Sequence, residues 1–144
     1  MEASLPVAVR KDVESAKAMT LVALVFEAII FAASTLVGGT LIILVFPVWP
    51  ALPLWSQLLI VSGWIILALL LFLTYHLVYR ELLRGMVSRA TAPALILGIL
   101  ELFVGVIPGI FLIIAYFKSN NAQGKMLLSH GKQDLHGGGM ESAR

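Results

Sequence analysis

The stretch 18-AMTLVALVFEAIIFAASTLVGGTLIILVFPV-48 contains a single ionisable side chain, Glu27. A helix in hydrocarbon needs about 20 predominantly apolar residues and closes its backbone hydrogen bonds within itself. The stretch exceeds that length and predicts a first membrane helix over about 19–46. At about 1.5 Å per residue this helix would be about 42 Å long against a hydrocarbon core of about 30 Å, so it must tilt, protrude or break. Adjacent Gly38 and Gly39 are the expected weak point. A secretory leader is the competing reading, with Ala32-Ala33-Ser34 as the small residues for cleavage. The length of the run, Glu27 inside it, and Glu2, Asp12 and Glu14 before it weigh against a leader.

The rest of the chain agrees with a lipid solvent. Of 144 residues, 60% are hydrophobic and 12% charged, with a mean hydropathy of +0.98, whereas soluble domains carry about 25% charged residues. Phe46 to Trp55 holds three prolines and two tryptophans without a charge and reads as a turn at headgroup level, with Trp49 and Trp55 as interfacial anchors. A second helix is expected over 54–79, leaving the membrane at Tyr75, His76 and Tyr79. A third, over 94–117, opens after Pro93, contains Glu101 and closes with Tyr116 and Lys118. Tyr79 and Tyr116 are the anchors at those exits. The expected fold is therefore all-α, an integral membrane protein with three transmembrane helices. A polar arm (1–17) precedes a membrane domain (18–118), and a glycine-rich, flexible tail (119–144) follows it.

Lys and Arg near helix ends set orientation. With three spans, Arg10, Lys11, Lys17, Arg80, Arg84 and Arg89 share the amino-terminal face, and Lys118, Lys125, Lys132 and Arg144 lie opposite. This bias predicts a multi-pass protein of the cell membrane with a cytoplasmic amino terminus and the carboxyl terminus across the bilayer. Pro108-Gly109 offers an alternative: a chain turning back there as a re-entrant hairpin would place all ten cations on one face. Short arms and unpaired backbone in lipid oppose that alternative.

Glu27 and Glu101 are the most informative residues, since an intramembrane carboxylate must be neutralised, paired or hydrated. Each lies about 12 Å into its helix, and the first and third helices run the same way, so the two carboxyls are expected at one depth. As protonated glue they would hydrogen-bond a neighbouring helix, with Thr20, Ser34, Thr35 or His76 as partners; as a titrating pair they would carry a proton or a cation. Ala94, Gly98, Gly105 and Gly109 fall on roughly one face of the predicted third helix and form a packing surface for another helix. Arg80, Arg84 and Arg89 sit just beyond the membrane, suited to anionic headgroups.

Several functions lack their chemistry. Cysteine is absent, which removes disulfides, thiolate catalysis and thiolate metal sites. His130, Asp134 and His136 sit in the glycine-rich tail without a rigid frame, so no metal site is predicted, and no motif asks for a cofactor. No nucleophile has a paired base, and an enzyme is not expected. The net charge of +2 comes with no basic stripe, so nucleic acid is not a partner.

The segment Ala92-Pro-Ala-Leu-Ile-Leu-Gly-Ile-Leu-Glu-Leu-Phe-Val-Gly-Val-Ile-Pro-Gly-Ile-Phe-Leu-Ile-Ile-Ala-Tyr-Phe-Lys118 resembles the last helix of small uncharacterised prokaryotic multi-span membrane proteins. The resemblance implies a small helical membrane protein and no particular activity. A glutamate in the first helix is also a feature of small multidrug transporters, though their fourth helix and surrounding motif are missing. Proteolipid rotor subunits share a membrane carboxyl, but not this helix count. The expected function is association, with copies of itself or as an accessory subunit of a membrane complex. The alternative is a proton- or cation-coupled transporter or channel using Glu27 and Glu101.

Overall fold

A computed structural model describes residues 7–45, 47, 50 and 52–137, among which every regular element is helical. The first helix, α1, runs without interruption over Val7–Val45. The second, α2, covers Leu54–Leu83 and includes a π-helical turn at Thr74–Tyr79. After a left-handed Gly85 (φ 75°), a conformation open to glycine at no steric cost, α3 covers Val87–Val104. The last helix, α4, is Val106–Gly137. Three helices are long and apolar enough to cross a membrane: Val7–Thr40, Leu54–Leu83 and Val87–Val104. The chain is thus an all-α, multi-pass membrane protein.

The buried stripes explain how these helices assemble. On α1 the stripe is Val9, Val13, Ala16, Thr20, Ala23 and Glu27; on α3 it is Val87, Ala90, Ala94, Leu97 and Glu101. On α4, Leu112, Ala115, Ser119 and Ala122 are buried. Alternating steps of three and four residues keep each set on one helix face. Small side chains dominate, so the backbones approach closely, which is how helices gain packing energy where hydrophobic burial offers none. Leu70, Thr74, Val78 and Leu82 of α2 complete the core. This four-helix half has no counterpart at the other end. Beyond Glu27 on α1, and before Leu70 on α2, no described residue is fully buried.

The predicted third helix (94–117) is not one helix. The chain reverses at Gly105, whose backbone is extended (φ −154°, ψ 106°), and α4 returns antiparallel along α3. Two features favour the break: Pro108 cannot donate a ladder hydrogen bond, and Gly105 and Gly109 weaken the helix around it. A Cβ on Gly109 would lie 2.7 Å from the Leu102 amide nitrogen and 2.8 Å from the Gly98 carbonyl oxygen. The small residues read as one outward face therefore sit on two helices: Gly98 and Gly109 pack the two arms together, and Ala94 is buried in the core.

Three further expectations change. The glycine pair does not break α1; Gly38 instead admits the Trp64 ring, with 2.5 Å between a Cβ placed there and Trp64 Cζ2. Residues 119–137 are not a loose tail, since α4 continues to Gly137 and buries Ser119 and Ala122. The tail also does not emerge opposite the amino terminus. Val9, Val13, Val87 and Ala122 form one cluster, and Lys125 pairs with Asp12, so both ends of the described chain lie at the same end of the bundle.

Candidate functional site

Glu27 and Glu101 meet at the tip of the reversal. Glu27 is 7% exposed and Glu101 1%, and both line a small cavity with Ile30, Leu67, Leu70, Val104, Gly105 and Pro108. Each carboxyl lies within reach of the other and of Thr74. Thr74 Oγ1 donates to Glu101 Oε1 at 2.8 Å. Both Glu27 oxygens and Glu101 Oε2 lack a hydrogen-bond partner among the described residues. Carboxylates only accept, so two facing carboxyls satisfy each other only when a proton or a cation stands between them. The room for the centre of a water-sized sphere is ≈ 10 Å³, at the threshold for a single water.

The local sequence builds this geometry. Glu27 continues the buried α1 stripe one step past Ala23, and Glu101 continues that of α3 past Leu97. Thr74 opens the π-helical turn. π-turns shift the helix register by one residue and occur often at functional sites. Thr20, Thr35, Thr40 and Thr91 each donate to the carbonyl four residues back, whereas Thr74 alone among the threonines donates across to another helix. The Gly105 amide closes onto the Glu101 carbonyl at 2.6 Å, fixing the carboxyl-bearing residue at the tip.

The tip lies midway along its neighbours. A Cβ on Gly105 would touch Ile30 Cδ1 at 3.1 Å. From Ile30 the first helix continues to Val45, about 22 Å by helix rise, and from Leu67 the second runs back to Leu54, about 20 Å. Towards the cation-bearing end the cavity is closed by the core around Ala23, Leu70, Leu97 and Leu112. On the other side only α1 and α2 extend past it.

Other expected site residues lie elsewhere. His76 does not reach the carboxyls; its ring lies tilted against Phe72 at 4.3 Å between centroids, meets Tyr75 edge-on and accepts at Nδ1 from Arg80 Nη1 at 3.3 Å. Arg80, Arg84 and Arg89 are exposed at the bundle's charged end, and Arg84 pairs with Glu81 at 3.4 Å. Trp55 is 65% exposed at the start of α2, and Trp49 lies outside the described residues. Tyr79 is half-buried beside Tyr75, while Tyr116 packs against the core. No group of three metal-ligating residues occurs among the described residues; the side chains of His130, Asp134 and His136 lie outside them. Nothing in the sequence singles out Thr74. Counting helix rise back from Arg80 puts it about 9 Å inside the exit, close to the depth of Glu27.

No family model, curated protein or solved structure matches this chain.

Proposed function

We propose that this chain carries a proton or a small monovalent cation on the Glu27–Glu101 pair, as a coupled transporter or channel of the cell membrane. The observation behind this reading is the unpartnered state of three carboxyl oxygens that face each other where a helix reverses halfway along its neighbours. Transport proteins place coupling-ion sites at broken helices near the bilayer midplane. Two protons neutralise the pair, and so do one proton and one monovalent cation. Exchange between those two states moves no net charge into hydrocarbon, the condition that makes the site affordable at this depth. A water-sized space admits an ion and excludes an organic substrate. The Arg and Lys residues gathered at one end favour that end as cytoplasmic, with both ends of the described chain on that side and the α3–α4 hairpin re-entrant.

The test is proton and sodium flux in vesicles holding the purified protein, with an imposed pH gradient. Wild type is expected to couple the two gradients, and Glu27→Gln with Glu101→Gln to remain assembled while losing coupling, because an amide cannot titrate. Flux retained by the double variant, or no flux from folded wild type, rejects the proposal.

Association is the second reading, and one observation favours it: the far half consists of two helices whose outward-facing apolar side chains are uncovered among the described residues. Leu36 is 73%, Ile43 76% and Leu58 61% exposed. A second copy, or a subunit of a larger complex, would cover them and form a wall for a water path to the cavity.

A further inference from the structure

A groove of ≈ 490 Å³ runs between α1 and α2 on the outside of the bundle, lined by Leu24, Ala28, Ala68, Leu71, Phe72 and Tyr75. It is separate from the carboxyl cavity and shares no lining residue with it. On α2 the side that forms its wall continues in steps of four, through Ala68, Phe72, His76 and Arg80. The continuity is physical: the His76 ring lies on Phe72 and accepts from the Arg80 guanidinium. On α1 the opposite wall, Ala28 and Leu24, continues in the same direction through Leu21 to Lys17. An apolar channel thus leads to a lip with a cation on each side, and the distance from Phe72 to Arg80 is about 12 Å along the helix.

We infer that this groove holds one acyl chain of an anionic phospholipid from the leaflet on the charged side, with its phosphate on Arg80. The apolar lining decides the occupant class, since the groove opens outward between two helices long and apolar enough to cross a membrane, and the charge decides the headgroup. Arg84 pairs with Glu81. The Arg80 guanidinium has five N–H donors, one of them directed to His76. The remaining donors suit the forked geometry of a phosphate.

The inference is tested by native mass spectrometry of the detergent-purified protein titrated with phosphatidylglycerol or phosphatidylcholine. Wild type is expected to retain phosphatidylglycerol preferentially. Arg80→Gln should weaken that retention about fivefold, the effect of one cation near a membrane surface, and weaken that of phosphatidylcholine less, because its choline cation offsets the charge of the phosphate. Ala28→Phe and Ala68→Phe, both at exposed positions, should reduce retention of both lipids by filling the channel, with helicity unchanged. Equal retention of the two lipids by wild type overturns the inference. So does an Arg84→Gln effect equal to that of Arg80→Gln, which would mean diffuse attraction. Undiminished binding by both Phe variants also overturns it.

Discussion

Thr74 does more for the site than its chemistry suggests, because among the described residues its hydroxyl is the one donor supplied to a pair of acceptors. Thr74→Val keeps the shape and removes that donor, leaving Glu101 Oε1 buried without a partner. The expected loss is about 1–3 kcal/mol of stability, read as a lower unfolding midpoint in detergent, with Thr74→Ser close to wild type. Glycines separate just as sharply. Gly109→Ala would press a methyl against the backbone of Leu102 and Gly98, and backbone cannot swing aside as a side chain can. That substitution is expected to cost about 1–3 kcal/mol or more. Gly39→Ala meets nothing within 4 Å and is expected to be neutral or slightly stabilising, by at most about 1 kcal/mol. The same unfolding measurement decides both. At this scale the sequence displayed the two carboxyls plainly, because charge is conspicuous in an apolar run. The donor to Glu101 is hidden there, since a threonine in a membrane helix usually satisfies its own backbone, and only the fold reveals one that does not.

At the scale of elements, composition locates every apolar segment and offers Pro108-Gly109 as a place to turn back, but cannot choose between that re-entrant alternative and a spanning helix. Residues 94–117 have the apolar length of a spanning helix, and hydropathy does not distinguish one long helix from two short ones. The distinction lies in Gly105, Pro108 and Gly109, which together make a reversal tolerable and let the two arms touch. The tail was misread for a related reason. Its glycines and polar residues suggest disorder, yet Ser119 and Ala122 extend a stripe that begins inside the membrane, and α1 supplies the matching face. The hairpin gives a direct topological expectation: reporters fused after Gly85 and after Lys132 should localise to the same side of the membrane. Opposite sides would require 94–117 to cross, and would remove the reversal on which the carboxyl site depends.

The whole molecule is built in two unequal halves, four helices at the charged end and two beyond the tip. Since the chain has no cysteine, single substitutions there can be crosslinked without background. Val37→Cys and Ile43→Cys, at positions 62% and 76% exposed, are expected to form disulfide dimers in membranes if copies cover the far half, whereas Arg10→Cys at the charged end should not. Absence of dimers from both far-half variants would leave those faces to lipid or to another protein. The meeting of Asp12 and Lys125, 113 positions apart, has a consequence for biogenesis. The first helix leaves the ribosome with a stripe of small residues whose main cover, α4, is the last described helix to be translated, and with an acid, Glu27, whose facing carboxyl stands on α3. Until α4 arrives, α1 and α2 must wait in the bilayer with Glu27 lacking its finished surroundings. Assembly is therefore completed only late in synthesis, and a chain stalled before α4 would offer membrane quality-control proteases an unsheltered carboxyl as a mark of incompleteness.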